Sequence, residues 1–431
     1  MSMPNAAGKG NWSIQEINDN FKPTFENRSK NMYSTLNPLE GSVKKNYSWT
    51  GKEKNIETHL SFAGGFGSGR LPKANNSVLK NQKLTAKKVY GRALVDREGL
   101  KAASNSQGSY QQYLKFPIQK TVENYTNQCG RITFGDGTGV LGRGAGATAV
   151  TGLGTEASPY IVTMRAADFK DVNFEEKSFV QVVTGLNAND NLGGTPEGGD
   201  ATTNLLEIVM VDVAAYKIHL IGVSPVLTAH VTGTQAFPTT SGFVMQRSYL
   251  KEPTGLAQMF AADIGDTFQG IEVQRRWMAG KLDAKGSGIM TDMINEVFLE
   301  RSHVFGEEMN MIVCRYNQYQ KILAQLEEKK TIMIQNVNVK GHLGFKGIMY
   351  TTSEGKEVAI VTNRFADADK VYCLNTKYIN RLHRPDFGWF DEDGTIFMRE
   401  TDEDQYEARY GGYWEHAFVP TAHAVIENLA I

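Results

Sequence analysis

The sequence has few cysteines, few prolines and no long apolar run, and each absence excludes a class of protein. Its 3 Cys in 431 residues are too few and too far apart for a disulfide framework or a cysteine–histidine zinc site. Its 12 Pro argue against rigid proline linkers. No apolar run of about 18 residues occurs, and the N-terminal stretch lacks the apolar core of a signal peptide. We therefore expect no membrane segment, and we expect Cys129, Cys314 and Cys373 to be buried free thiols.

The sequence also lacks a large net charge and any familiar catalytic motif. The formal net charge is −1, which is not the charge of a dedicated polyanion-binding protein. The sequence contains no H-E-x-x-H metal motif, no G-x-S-x-G nucleophile motif and no G-x-x-x-x-G-K-[ST] phosphate loop. We therefore expect no catalytic residue, no metal and no cofactor.

What is present is the composition of a folded protein with several domains. Hydrophobic residues make up 41% of the chain, charged residues 22%, and there are 43 Gly. The length predicts two or three domains. Residues 1–47 are polar and have no sustained period, so they predict an extended N-terminal arm.

Residues 48–91 predict a long hairpin. Two strand-like segments, Ile56–Phe62 and Leu84–Tyr90, flank a flexible tip that contains Gly64, Gly65, Gly67 and Gly69. Arms of about 20 residues would reach roughly 65 Å, well beyond a body whose radius of gyration is about 22 Å. An isolated ribbon is marginally stable in water, so a neighbouring copy is the simplest surface for it. A hairpin folded back on its own domain is the alternative.

A long helix is predicted over residues 109–129. An apolar stripe recurs every three or four residues, and its members are Tyr110, Leu114, Ile118, Val122, Tyr125 and Cys129. Ser109 is a candidate N-cap, Gly130 is a candidate stop, and Pro117 should bend the helix. An ordinary long core helix explains the same stripe.

A glycine-rich segment follows the helix, and Gly137–Gly142 satisfies G-x-G-x-x-G. A dinucleotide site needs a strand before this motif and a helix that opens at its third glycine. Here a helix precedes the motif and no helical period follows it, which favours a plain turn. A nucleotide-dependent enzyme that uses this loop is the competing interpretation.

The remaining sequence changes character twice. Five short strand-like segments within 151–252 predict a small antiparallel β domain inserted in the chain, and they are Pro159–Met164, Phe179–Val183, Leu206–Val211, Lys217–Ile221 and Gly242–Met245. Residues 253–385 alternate helices and strands, with a helix near Met293, a buried strand at 309–314 and a helix at 316–326. Residues 386–431 predict closing strands.

The order of these pieces resembles the major capsid proteins of tailed bacteriophages with the Hong Kong 97-like fold. The resemblance spans nearly the whole chain as a pattern of elements. Its short motifs are Leu71-Pro72-Lys73-Ala74, Asp96-Arg97-Glu98, Phe134 to Leu141, Glu272 to Trp277, and Phe387 to Arg399 with Glu407-Ala408.

The resemblance implies an α+β subunit with six parts: an N-terminal arm (1–47), an E-loop hairpin (48–91), the spine helix of the P-domain (92–150), the inserted β-rich domain (151–252), an A-domain (253–385), and closing strands of both domains (386–431). It also implies self-assembly into pentamers and hexamers of an icosahedral shell around double-stranded DNA that is bound without sequence specificity. Scaffolding, portal and decoration proteins would be further partners, and the virion would be the location. An encapsulin-type compartment of the same fold is the closest alternative.

Overall fold

The computed structural model describes residues 39, 42–46, 52–59, 78–98, 107–187, 190–198, 204–289, 291–328, 333–337, 345–352, 355–383, 387–391, 396–399 and 404–431. The chain divides into two compact units. The first unit combines Met1–Gly130 with Met259–Ile431, and the second unit is Arg131–Gln258. The domain predicted at 151–252 lies inside the second unit, and the predicted domain boundaries stay predictions.

The first part of the chain contributes four strands and the longest helix. These are β1 (Lys44–Asn46), β2 (Lys52–His59), β3 (Val78–Lys83), β4 (Lys87–Asp96) and α1 (Gln107–Thr133). Strands β2 and β3 pair antiparallel with each other, and we call this pair the hairpin.

The second unit is a small barrel. Its elements are β5 (Val140–Arg143), β6 (Tyr160–Thr163), β7 (Phe179–Thr184), β8 (Thr195–Pro196), β9 (Leu206–Asp212), β10 (Lys217–Gly222), α2 (Pro225–Thr232) and β11 (Gly242–Met245). The strand order is β5-β11-β7-β9-β10-β6, with every described pairing antiparallel. A bridge between Gly144 and Met164 joins the ends of β5 and β6, which closes the sheet. The predicted inserted antiparallel β domain is therefore confirmed.

The interior of the barrel is apolar because apolar side chains on its strands point inward. Pairs such as Val180 and Val182, or Leu206 and Ile208, point inward and are fully buried. Helix α2 begins at Pro225, and the Ser224 hydroxyl caps it by accepting from the Leu227 amide at 3.2 Å. This helix was not predicted.

The last part of the chain completes the first unit. Its elements are α3 (Leu256–Ala261), β12 (Thr267–Phe268), β13 (Ile271–Glu272), β14 (Gly280–Asp283), α4 (Thr291–Phe305), β15 (Met311–Cys314), α5 (Tyr316–Glu328), β16 (Met333–Val337), β17 (Phe345–Thr351), β18 (Glu357–Thr362), β19 (Val371–Leu374), β20 (Ile379–His383), β21 (Gly388–Trp389), β22 (Phe397–Arg399), β23 (Gln405–Phe418) and β24 (Ala424–Glu427).

Seven of these strands form a mixed sheet in the order β14-β24-β19-β15-β18-β17-β16. Helices α4 and α5 pack on it through one apolar cluster, in which Ile294 and Phe298 of α4 and Ile322 of α5 meet Ile312 and Ile426 of the sheet. The helix predicted near Met293, the strand predicted at 309–314 and the helix predicted at 316–326 are confirmed as α4, β15 and α5, with their ends shifted by a few residues.

A second sheet is built on the 14-residue strand β23. Strand β4 pairs along one side of β23, from Asp96 opposite Gln405 to Lys87 opposite Trp414. Strands β20, β21 and β22 pair along the other side, and β1 adds in parallel beyond β20. This sheet joins segments from both ends of the first unit.

Helix α1 packs on the β23 sheet with the predicted apolar stripe. Ile118 lies in a buried cluster with Val95 and Ala408, and the Tyr125 ring meets those of Phe387 and Tyr410 edge-on at 5.3 and 5.0 Å. The cysteines Cys129, Cys314 and Cys373 are buried and free, as predicted.

Three expectations about local structure are wrong. Helix α1 begins at Gln107, so Ser109 lies inside it and is not its N-cap. Helix α1 does not stop at Gly130 but continues to Thr133, because Ile132 and Phe134 are buried beyond it and outweigh the roughly 1 kcal/mol that a helical glycine costs. The second arm of the hairpin is Val78–Lys83, not Leu84–Tyr90. Residues from Lys87 onward pair with β23 instead.

Candidate functional site

The predicted site residues fall partly within the described chain. The tip glycines Gly64, Gly65, Gly67 and Gly69 lie outside the described residues. The positions of Tyr110 and Leu114 lie in α1, and Ile118, Val122 and Tyr125 are buried on its packed face.

The bend at Pro117 stays a prediction. Helix α1 continues through Pro117, whose carbonyl accepts a hydrogen bond from the Thr121 hydroxyl at 2.9 Å. A proline inside a helix removes one backbone donor, which is the physical ground for expecting the bend.

The hairpin is attached to the body at its base. The Lys83 amide donates to the Gln269 carbonyl at 2.9 Å. The Gln82 side chain is only 2% exposed, and its amide donates to the Phe418 carbonyl at 3.0 Å and to the Gln269 side-chain oxygen. Leu84 is buried beside Leu382 and Ala417. Polar contacts and one small apolar cluster therefore hold the described arm β3 to the end of β23.

The outward face of β4 carries an exposed strip of apolar and basic side chains. Tyr90 and Leu94 are 49% and 45% exposed. The Tyr90 ring meets Phe390 and Tyr413 at 5.7 and 6.2 Å, and the Lys88 ammonium lies 5.4 Å from the Tyr413 ring. We call Lys88, Tyr90, Leu94, Phe390 and Tyr413 the outer strip. An exposed aromatic and aliphatic surface of this kind suits contact with another protein surface.

An ion-pair network borders the outer strip. Arg92 donates to Glu407 at 2.8 Å and Arg409 donates to the same carboxylate at 2.7 Å. Burial alone would raise the pKa of Glu407, but the hydrogen bonds from Arg409 and Arg92 outweigh it, so the pKa lies below its ordinary value. The carboxylate therefore stays charged and joins β4 to β23.

The glycine-rich segment after α1 is a turn. The Asp136 carboxylate accepts from the Thr138 amide at 3.0 Å and from its hydroxyl at 2.6 Å, while Gly137 and Gly139 have φ of +75° and +82°. Gly142 lies in β5, so no helix opens at the third glycine of the motif. The turn interpretation is confirmed, and the condition for a dinucleotide fingerprint is not met.

The described residues contain neither a metal-ligand group nor a membrane-spanning helix. Among them, no three His, Cys, Asp or Glu side chains are grouped so that they could hold a metal ion. In the same part of the chain, no helix has the length and apolarity needed to cross a membrane.

Sequence reasoning missed the contact at the hairpin base. Gln82 and Gln269 lie 187 positions apart, and neither belongs to a motif. The only local signal was the Gln269-Gly270 step between two short apolar pieces, which is a weak indication of a turn.

No protein-family model matches the chain, and no curated protein matches its sequence. Solved structures do match it. A capsid chain of cyanophage A-1(L) is 9% identical over 91% of this chain and 93% of its own, with a TM-score of 0.49. A chain of the satellite phage P4 procapsid is 8% identical over 96% of each chain, with a TM-score of 0.38.

A chain of an encapsulin complex from Synechococcus elongatus PCC 7942 is 10% identical over 92% of this chain and 89% of its own, with a TM-score of 0.40. With TM-scores below 0.5 and identities of 8–10%, these likenesses do not establish a role for this chain. The described elements confirm the α+β class predicted from the sequence, and they follow one another as hairpin, long helix, inserted β domain, sheet with two helices, and closing strands.

Proposed function

We propose that this chain is a major capsid protein that self-assembles into the icosahedral head shell of a tailed bacteriophage enclosing double-stranded DNA. Copies would form pentamers and hexamers, and the protein would act as a structural component of the virion, not as an enzyme. Scaffolding, portal and decoration proteins would be its partners during assembly in the bacterial host cytoplasm.

The hairpin is the observation that carries the proposal. In the described part of the chain, β2 and β3 pair only with each other and form a two-stranded sheet. A two-stranded ribbon is marginally stable alone, so it needs a surface to lie on. A subunit that offers such a ribbon to its neighbour, and receives one in turn, is linked to other copies from two directions.

The outer strip supplies a second feature that suits assembly. Tyr90 and Leu94 leave about half of their surface in water, beside the Phe390 and Tyr413 rings. Covering them in a contact between copies would gain apolar burial. Each contact can be weak, because many simultaneous contacts make a closed shell stable through high effective concentration.

The charge of the chain is consistent with this role. A net charge of −1 gives no strong attraction to a polyanion, so DNA would be enclosed without tight or sequence-dependent binding. The same balance keeps long-range repulsion between copies small.

Sedimentation velocity and negative-stain microscopy of the purified full chain test the proposal. We expect closed shells or rings of five and six copies, at least when a scaffolding protein is present. A chain that stays a small monomer at every concentration and salt condition, with or without scaffolding protein, contradicts it.

The genes beside this one separate the phage head from an encapsulin-type compartment. A head protein should lie with portal and DNA-packaging genes, whereas a compartment protein should lie with the gene of a cargo protein. Shells found with a protein cargo and no packaging genes would favour the compartment.

A further inference from the structure

At the base of the hairpin, the chain passes from a strand that pairs with β2 to a strand that pairs with β23. Strand β3 ends at Lys83 and pairs with β2, whereas β4 begins at Lys87 and pairs with β23. Residues 84–86 between them belong to neither strand. A break of three residues between two differently paired strands is where the direction of the hairpin can change.

A short turn of the body sits against this break. Strands β12 and β13 are joined by Gln269 and Gly270, whose φ angles are +49° and +79°. Positive φ at both central residues is the type I′ arrangement of a two-residue turn. The Trp277 ring nitrogen donates to the Phe268 carbonyl at 3.3 Å, and Phe268, Ile271 and Trp277 are buried. The turn is therefore held firmly from the body side.

Gln269 forms hydrogen bonds both to the hairpin arm β3 and to the end of β23. Its side-chain nitrogen donates to the His416 carbonyl at 2.6 Å, and its oxygen accepts from the Phe418 amide at 3.4 Å. The same oxygen accepts from Gln82 of β3, and the Gln269 carbonyl accepts from the Lys83 amide. One residue thus bonds the hairpin arm and the end of β23 together.

The backbone of Gln269 would favour glycine. A residue with a side chain is strained in the left-handed region, and such strain persists only where surrounding contacts compensate for it. Here the compensating contacts are the hydrogen bonds of the glutamine side chain. The contact is also mostly polar, and polar contacts exchange for bonds to water at small net cost, unlike a packed apolar core.

We propose that the Gln269–Gly270 turn is a latch that fixes the direction in which the hairpin leaves the body, and that its release lets the hairpin rotate about residues 84–86 as subunits meet. The inference rests on the proposed shell function, because rotation of the hairpin matters where one sequence must occupy non-identical positions. It assigns the rotation to the base of the hairpin, and not to its glycine-rich tip or to the bend predicted at Pro117.

Two variants release the latch from opposite sides. Gln269→Gly removes the amide and keeps a backbone that accepts positive φ, so the turn itself should still form. Gln82→Met removes the amide on the hairpin side at similar volume. Lys285→Gly is the matched control, because Lys285 has φ of +53°, precedes Gly286 with φ of +78°, and is exposed.

The first measurement is hydrogen exchange in the unassembled full chain. Loss of the side-chain bonds should speed exchange of peptides that cover residues 78–90 by about tenfold in either latch variant. Peptides from β15 should not change, and Lys285→Gly should exchange like the wild type. Wild-type exchange at 78–90 in both latch variants would overturn the latch.

The second measurement is the distribution of shell diameters by electron microscopy. We expect the wild type and Lys285→Gly to give one main diameter, and both latch variants to give a broader set. Faster exchange with an unchanged single diameter would overturn the role in assembly. If the wild type forms no shells at all, the proposed function fails, while the exchange result still decides whether the latch exists.

Discussion

Arg131 and Glu252 form a bidentate ion pair in which both side chains are more than nine-tenths buried. One guanidinium nitrogen donates to Glu252 Oε2 at 3.1 Å, and the other donates to Oε1. Both residues belong to the second unit, where the pair ties the last turn of α1 to the segment after β11. Removing one partner would leave a buried charge without its counter-ion.

Arg131→Met should therefore lower the free energy of unfolding of the second unit by about 3 kcal/mol or more. Urea unfolding followed by hydrogen exchange of barrel peptides measures this. Arg165→Met is the control, because the Arg165–Asp168 pair is 3.7 Å long and partly exposed, and such pairs contribute about 0–1 kcal/mol. Equal losses in the two variants would show that burial of the Arg131 pair is unimportant.

His423 should make the first unit less stable in mild acid. Burial lowers the pKa of His423 from 6.5 to about 3, and the backbone amide of Asn375 donates to its Nδ1 at 3.2 Å. The unfolded chain takes up a proton below about pH 6.5, whereas the native histidine stays neutral to about pH 3. The free energy of unfolding should therefore decrease as the pH is lowered from about 6.5 to about 3, by up to about 1.4 kcal/mol per pH unit.

His423→Asn keeps an acceptor near the Nδ1 position and removes the titration. Chemical unfolding between pH 7 and 5 should show a shallower decline in this variant than in the wild type. His303→Asn, at an exposed position, should keep the wild-type slope. The same slope in all three proteins would mean that His423 does not carry the effect.

Glu407 should give a second pH dependence at lower pH. Because its folded pKa lies below the ordinary value of 4.5, its contribution is present above about pH 4.5 and is lost as pH falls through the folded pKa. Glu407→Gln should flatten the stability curve below pH 4.5. Its partners Arg92 and Arg409 are about half exposed, so 1 M salt should reduce the difference.

The matched control for this prediction is Glu123→Gln, which removes an exposed carboxylate paired with Lys120. It should leave the acid limb of the curve unchanged. If Glu407→Gln loses stability equally at pH 3 and pH 7, packing of the glutamate and not its charge is what joins β4 to β23.

Deleting residues 64–69 should spare the fold of the subunit but impair assembly or lower the stability of the shell. The prediction follows from the proposed role of the hairpin, whose reach depends on its tip. Circular dichroism and thermal melting report the fold, and electron microscopy reports the shells. A variant that keeps the same six residues in another order is the control for length, and shells of undiminished stability from the deletion would contradict the role.

Local signals explain what the sequence could predict. Leu206 and Ile208, or Ile218 and Leu220, alternate with less buried residues, and five of the seven described barrel strands were identified nearly to the residue. Strands β5 and β8 were not predicted. The stripe through Ile118 and Val122 likewise identified α1. In these elements the periodic pattern within one segment decides the structure.

The features that could not be predicted from the sequence depend on contacts between residues that are distant in the chain. Residues 78–96 look like almost continuous strand, and only pairing with residues 405–414 divides them into β3 and β4. The end of α1 depends on burial of Ile132 and Phe134, which outweighs the local preference of Gly130. The bonds between Gln82 and Gln269 join two unremarkable glutamines, and no local pattern marks either of them.

The central position of β23 in its sheet determines the order in which the two units can fold during synthesis. The two large sheets of the first unit need late residues, since β23 lies between β4 and β20–β22, and β24 lies between β14 and β19. The second unit is one continuous stretch, Arg131–Gln258, and can fold as soon as it leaves the ribosome. Neither large sheet of the first unit can be completed until residues 405–427 have been synthesised, so the barrel can fold while the body is still unformed.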